Sequence, residues 1–408
     1  MKILLVHNFY QQPGGEDVVF EHELKLLQRM GHQVTNYVRS NSEIEGYSVT
    51  QKLGLVPKII WATDTRKEFM EVLRREKPDV VHIHNTFVMI SSSIYSACTE
   101  MGIPVVQTLH NYRLICPGAT LFRDGHVCEE CIEHSLLRSV QHGCYRGSRS
   151  GTAVVAGMLV AHRQMQTMAK NVACFVALTQ FSRKKFIEGG LPAEKIFVKP
   201  NFVHPDPCTR VDDGEQAIFV GRLSPEKRVS TLLDAWTRLR TQIPLEIIGG
   251  GPQKSELLAL AALLNVPGVQ FKGALPRVKT LAAMSSARFL VFCSEWYENF
   301  PCTIAEAFAC RTPVICSRLG AMAEIVEDGR TGLHFNTGDS ADLASKVEWA
   351  WTHPERMREM GEEARREYET KYTAEKNYPI LMDIYQHAIS GGRLPAQPSE
   401  PVLAGHAS

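Results

Sequence analysis

The sequence predicts an α/β protein of two doubly wound parallel-sheet domains that face each other across a cleft. Three observations carry this reading. Runs such as Val80-Val81-His82-Ile83 and Val105-Val106-Gln107-Thr108-Leu109 read as strands buried on both faces, the mark of a parallel sheet covered by helices. These runs alternate with stretches of helical spacing. The alternation breaks at the proline-dense stretch Lys199-Pro200-Asn201-Phe202-Val203-His204-Pro205-Asp206-Pro207 and then restarts, so the 408 residues divide into two halves of about 200, an ordinary domain size.

In chain order, 3–6 is a fully apolar first strand and 7–15 the loop after it. Helical spacing over 16–30 puts Val19, Leu24, Leu27 and Met30 on one side, and Gly31 ends it before a strand over 33–37. A helix over 66–76 precedes a strand over 79–83, and a helix over 91–100 stops at Gly102 before a strand over 104–109. After a cysteine-containing loop come a helix over 152–168, a strand over 173–177 and a helix over 181–188. Past the proline stretch, strands are expected over 217–220, 245–248, 269–272, 288–292 and 313–316. Helices are expected over 230–240, 254–264, 303–310 and 374–389. The tail 390–408, rich in Gly, Pro, Ala and Ser, is expected to be disordered.

Composition excludes several classes. Hydrophobic residues make up 44% and charged residues 22%, which fits a folded protein rather than a disordered one. Lys+Arg at 45 against Asp+Glu at 44 gives a net charge of +1, so no nucleic-acid partner is expected. No window approaches about 18 consecutive apolar residues, and Met1–Tyr10 reads as a strand rather than a signal peptide. Eleven scattered cysteines suit a reduced, cytoplasmic protein better than a disulfide scaffold.

In doubly wound sheets ligands bind beyond the carboxyl ends of the strands. Five constellations fall there. Glu298-Asn299-Phe300-Pro301-Cys302-Thr303-Ile304-Ala305-Glu306 runs from a loop into a short helix. That helix's N-terminal amides suit a phosphate, and the two carboxylates suit hydroxylated groups. The alternative is two solvated carboxylates beside a helix end. Gly221-Arg222…Lys227-Arg228 places an Arg fork and a Lys point charge after a strand, as a phosphate clamp or as a solvated basic turn. Gly249-Gly250-Gly251-Pro252 is a glycine turn after another strand, and Gln12-Pro13-Gly14-Gly15-Glu16 closes the first strand–loop unit. Neither is the GxGxxG turn of a dinucleotide-binding dehydrogenase. Finally, His82, His84 and Asn85 end one strand, and His110, Asn111 and Tyr112 another.

Taken together, KILLVHNFYQQPGGEDVV, LHNYRLICPG, FVGRLSPEKR, IIGGGP, ENFPCTIAEA and EDGRTGLHF make nearly the whole chain resemble the retaining glycosyltransferases of glycosyltransferase family 4, glycosyl transferases group 1. The resemblance implies the GT-B fold of two Rossmann-like domains. Residues 1–199 would choose the acceptor, 200–372 would bind the nucleotide sugar, and 373–389 would cross back to the first domain. It implies that Arg222 and Lys227 hold the donor diphosphate, that Glu306 binds the ribose and that Glu298 contacts the sugar. Asn299 and Phe300 would line the sugar and phosphates, with Gly221 and Gly250 in the same donor site. Gly14 and Gly15 would close on the diphosphate, and His110 would lie near the transferred sugar. Glu298, His110, Arg222 and Lys227 are thus the catalytic candidates. The implied reaction moves a hexose from a UDP-, GDP- or ADP-sugar to a saccharide or lipid-linked saccharide, in cell-surface polysaccharide or glycolipid synthesis. Retention in this family is attributed to a front-face route. The chain has no Asp-x-Asp motif, which fits chemistry without a catalytic metal. A nucleotide-sugar epimerase of the same fold and a non-catalytic sugar-nucleotide-binding module are the alternatives.

Two segments stand apart. The loop 110–150 holds Cys116, Cys128, Cys131 and Cys144, compatible with a structural zinc or with four free thiols. From His134 to Ile187 there is no acidic residue, and the helix there carries Val154, Val155, Met158, Leu159 and Met165 among basic residues. That pattern suits peripheral contact with an anionic membrane at its inner face, or an ordinary core helix with solvated cations.

Overall fold

The computed structural model describes residues 1–11, 14–207 and 214–391, so Gln12, Pro13 and nearly all of the expected disordered tail lie outside the described residues. Among the described residues the strands are β1 (Lys2–Phe9), β2 (Gln33–Ser40), β3 (Val80–Ile83), β4 (Val105–Thr108), β5 (Phe122–Arg123), β6 (His126–Val127), β7 (Cys174–Ala177), β8 (Ile196–Val198), β9 (Ala217–Val220), β10 (Leu245–Ile248), β11 (Val269–Gly273), β12 (Phe289–Phe292), β13 (Val314–Ser317) and β14 (Gly332–Phe335). Two six-stranded sheets, ordered β2-β1-β3-β4-β7-β8 and β11-β10-β9-β12-β13-β14, are parallel throughout. In each, the order reverses beside the first strand, which opens a crevice there.

The doubly apolar strands are the ones buried on both faces. Val80, Val81, Val105, Val106, Ala217, Ile218 and Phe289 are all fully buried. The structure departs from the sequence reading at several points. β1 continues through His7, Asn8 and Phe9, because His7 and Phe9 pack against Phe20 of the helix Gly15–Arg29 while Asn8 is buried and donates to Asn41 Oδ1 and the Phe87 carbonyl. A helix at Val49–Ile60 forms despite Gly54 and Pro57, and one at Arg277–Ser285 follows β11. The loop 110–150 contains the β5–β6 hairpin and short helices at Glu130–Glu133 and Leu137–His142.

The last helix, Ala374–Ile389, packs on the first sheet. Leu381, Ile384, Tyr385 and Ala388 join Ile3, Leu5, Val80, Val106 and Val176 in one apolar cluster. The proline stretch is not loose at its start. Lys199 is fully buried and ion-paired, and Val203 N–H donates to Tyr372 C=O at 2.9 Å.

The basic helix is correspondingly placed. It spans Arg149–Gln164, and Val155, Met158 and Leu159 turn inward to pack with Phe87, Cys131 and Leu136. Its apolar face is core, which removes that face as a membrane contact and leaves only Val160 and Met165 exposed among the large apolar residues there. Several of the expected free cations are engaged as well. Lys185 pairs with Glu129 and Glu188, and Arg183 donates to the carbonyls of Ile196 and Ala193. Among the described residues no helix is long and apolar enough to cross a membrane.

Candidate active site

The two glycine turns of the second half form one structure. Gly221 N–H donates to Ile248 C=O at 3.0 Å, and Leu223 N–H to Gly250 C=O at 2.9 Å. Gly249 sits at φ +149°, and a Cβ there would fall 1.8 Å from Gly221 O, so only glycine fits this approach. The turns wall a cleft of about 600 Å³ lined by Val220, Gly221, Arg222, Gly250, Leu275 and Thr280. Arg222 stands exposed on its rim.

Lys227 ends the single turn Pro225–Lys227 after β9, and Glu298 lies on the loop after β12. Lys227 Nζ and Glu298 Oε1 form an ion pair, and Ser294 Oγ donates to the same oxygen at 2.8 Å. The ammonium also lies 5.1 Å from the Phe292 ring centre and 5.6 Å from that of Trp296. This holds it by a cation–π contact from a second side. Glu298 is buried at 6% exposure, and Asn299 and Phe300 are buried beside it. The helix Cys302–Ala309 then carries Glu306, whose Oε1 accepts from Arg277 Nε at 3.1 Å. Burial pushes the Glu306 carboxyl above its usual value, and Arg277 opposes the shift. Arg277 is further fixed by donating to His204 C=O at 3.2 Å.

His110 follows β4 on the opposite wall, and Asn299, the residue after Glu298, reaches its chain neighbour Leu109. Asn299 Nδ2 donates to Leu109 C=O at 2.9 Å, and Thr179 Oγ1 donates to Asn299 C=O at 3.3 Å. Glu298 and His110 are thereby brought together through their chain neighbours. His110 Nε2 lies 2.9 Å from His84 Nδ1, with the rings stacked at 5.1 Å between centres. Gly14 and Gly15 open the helix after β1, with nothing within 4 Å of a Cβ added at either.

Three features were not found by sequence reasoning. Arg277 is one, since its helix is far from Glu306 in the chain. Glu16 is the second. Asn85 Nδ2 and Asn111 Nδ2 each donate to it at 3.1 Å, and burial pushes its carboxyl up to about 8. The folded chain therefore holds this proton where the unfolded chain has lost it. The stability the wild type forfeits grows as pH rises from about 4.5 to 8 and is constant above. Glu16→Gln, which keeps an acceptor and never ionises, is expected to raise the melting temperature at pH 9 and leave it unchanged at pH 4. Thermal melts at the two pH values check this.

The third is a bridge made by the cysteine excursion. Arg228 Nη2 donates to Gly125 C=O at 2.6 Å, and Tyr297 OH donates to Glu129 Oε1 at 2.7 Å. Gly125 has φ +82°, and a Cβ there would meet Arg228 Nη2 at 2.5 Å. The residues touched are the direct neighbours of Lys227 and Glu298. Within the excursion, Cys131 and Cys144 are pushed up to about 12 and about 11, first by burial and then by the neighbouring thiols. Four thiols in one neighbourhood suit zinc chemically. The shell is not closed, however, because the one trio of such ligand atoms within 4.8 Å among the described residues is Glu23, His82 and His84.

Residues 13–207 match the family Glycosyltransferase Family 4, and residues 206–367 match Glycosyl transferases group 1. The N-acetyl-alpha-D-glucosaminyl L-malate synthase of Bacillus anthracis is 24% identical over 402 residues, covering 94% of this chain and 97% of that protein. The D-rhamnosyltransferase WbpZ of Pseudomonas aeruginosa is 32% identical over 159 residues, 38% of this chain and 41% of that protein. Among solved structures, Anabaena HepE in complex with UDP-glucose superposes with a TM-score of 0.67 at 19% identity, over 95% of this chain and 100% of that one.

Proposed function

The chain belongs to the family 4 glycosyltransferases with a group 1 second half and has the GT-B fold, and from that premise we propose that it transfers a sugar, with retention, from a nucleotide-diphosphate sugar to an acceptor hydroxyl. The observation that carries this is the Lys227–Glu298 pair, set beside the glycine-walled cleft and tied across by Asn299 to Leu109, the chain neighbour of His110.

The donor's base occupies the cleft against Gly250, Leu275 and Thr280, and its ribose diol meets Glu306. Arg222 and Lys227 face the diphosphate, and the helix amides at Cys302–Ala309 add to them. Glu298, released in part from Lys227 by the incoming phosphate, turns to the sugar hydroxyls. In the reaction the bond from the anomeric carbon to the phosphate oxygen breaks and both electrons leave with the phosphate. The acceptor oxygen forms the new bond on the same face, and its proton passes to the departing phosphate oxygen. Positive charge grows on the sugar and negative charge on the diphosphate, so fixed cations that need no reorganisation lower the barrier. Those cations are Arg222 and Lys227, which is the basis for expecting no catalytic metal. Acceptor residues come from the first wall, around Gly14, Gly15 and His110. Residues 1–199, 200–372 and 373–389 serve as acceptor domain, donor domain and returning helix.

A screen of purified protein against UDP-, GDP- and ADP-sugars, by thermal shift and by sugar release with and without acceptor saccharides, tests this. One donor is expected to stabilise the chain and lose its sugar to an acceptor or to water. Return of the sugar epimerised identifies an epimerase, and binding without turnover a non-catalytic module. A structural zinc at Cys116, Cys128, Cys131 and Cys144 belongs to the same reading and requires those side chains to turn toward one centre. Metal analysis of untagged protein is expected to give about one zinc per chain, lost in Cys128→Ser/Cys131→Ser. Zinc-free protein that is folded and protease-resistant leaves four ordinary thiols.

A further inference from the structure

We propose that Glu23, on the helix Gly15–Arg29, is a positioning residue that acts through His84 to fix which ring nitrogen of His110 carries the proton. The proposal rests on the reading of the cleft as a transfer site.

Glu23 is enclosed, with 1% of its surface exposed. One carboxylate oxygen accepts from Lys199 Nζ at 3.1 Å. The other lies 2.9 Å from His82 Nδ1 and 3.3 Å from His84 Nε2. On the far side of His84, Nδ1 lies 2.9 Å from His110 Nε2. Lys199 also donates to Asn377 Oδ1 at 3.0 Å, and His82 Nδ1 lies 2.7 Å from Tyr385 OH, so the network is anchored on the returning helix.

Counting protons along this line leaves one arrangement. Although burial works against it, Lys199 and the histidines hold the Glu23 carboxyl well below its usual value, so it only accepts. His84 Nε2 lies 3.3 Å from it without hydrogen-bond alignment, and it carries the proton because a bare lone pair there would face the carboxylate charge. Burial and the adjacent His82 lower His84 to about 3, so this ring is neutral and has a single proton. Its Nδ1 is then an acceptor, and His110 Nε2 must be the donor. Burial and His84 keep His110 neutral too, which leaves its Nδ1 bare. An acceptor at that position recognises a hydroxyl of the sugar or of the acceptor. The opposite tautomer would offer a donor instead.

Glu23, His82 and His84 also form the trio of close ligand atoms noted above. A metal there would meet the Lys199 ammonium on the same carboxylate. It would also have to displace the Tyr385 hydroxyl from His82 Nδ1. The trio is thus a charge network closed by a lysine.

The test uses the full chain labelled with ¹⁵N-histidine and long-range ¹H–¹⁵N correlation at pH 7.5, with His110 assigned by His110→Gln. Wild type is expected to show His110 protonated at Nε2 and bare at Nδ1. Glu23→Gln, and the charge-balanced Glu23→Gln/Lys199→Met, are expected to give mixed tautomers at His110. In the donor screen's transfer assay, both are expected to lose about 10- to 100-fold in kcat, the range lost with outer partners of a working histidine, with KM for the donor nearly unchanged. A wild-type His110 protonated at Nδ1 overturns the proposal even if neither variant folds. So does a wild-type tautomer retained in both variants, or a changed tautomer with unchanged kcat. The spectrum needs no substrate, so a confirmed tautomer in a chain that transfers no sugar counts against the transfer reading and not against the relay.

Discussion

Lys227→Ala is expected to slow sugar transfer by roughly 30- to 1000-fold, the equivalent of about 2–4 kcal/mol of lost transition-state stabilisation. Two effects add. The leaving diphosphate loses a cation that the Phe292 and Trp296 rings hold in place. Glu298, enclosed and bonded to Ser294, also loses its counter-ion, and breaking a pair in such a position is worse than never having built it. Because both effects run through one contact, Lys227→Ala combined with Glu298→Gln should be markedly less damaging than the product of the single changes. Arg222→Ala should also be slowed. Initial rates for the wild type and the four variants, with circular dichroism to confirm the fold, decide the matter. Near-normal transfer by Lys227→Ala removes the residue from the diphosphate, and strict additivity in the cycle removes the shared contact.

Glu306→Gln is expected to weaken nucleoside diphosphate binding by roughly 10- to 100-fold, since a charged acceptor for a hydroxyl pair contributes about 1.5–3 kcal/mol. Arg277→Ala should follow in the same direction, because Arg277 orients that carboxylate at 3.1 Å and tempers its burial. Glu298→Gln should instead bind the nucleoside diphosphate within a few-fold of wild type and fail at transfer. Calorimetry on the three variants with the nucleoside diphosphate of the identified donor measures the split. The reverse pattern would exchange the roles of the two glutamates.

The second half's candidate site was legible as a cluster because its residues lie close together in the chain. Gly221 to Lys227 lie on the turn after one strand and Glu298 to Glu306 on the loop and helix after another, and strands such as Ala217–Val220 betray themselves by being apolar on both faces. Partners supplied by distant segments were not legible. Arg277 opens a short helix with no link in sequence to Glu306. Glu23 lies among the polar residues of an amphipathic helix, where a carboxylate reads as solvated, and only the arrival of Lys199 and two histidines makes it interior. The helix Val49–Ile60 was hidden by Gly54 and Pro57, which local rules count as breakers but which tertiary packing tolerates. The apolar residues of Arg149–Gln164 were visible, but which way they faced was not, because an inward stripe and a membrane-facing stripe have the same periodicity.

The returning helix has a consequence in time rather than in space. During synthesis residues 1–199 leave the ribosome first, yet one face of their sheet is completed by Leu381, Ile384 and Tyr385. At about 5–20 residues per second, the nascent first half waits roughly 10–35 s for that cover. Through that interval Ile3, Leu5, Val106 and Val176 lack part of their packing, and the buried His82–Glu23–Lys199 network lacks Tyr385 and Asn377. The first sheet is therefore open to aggregation through that interval. A stop codon before Ala374 should yield an insoluble first half even though every residue of its sheet has been made.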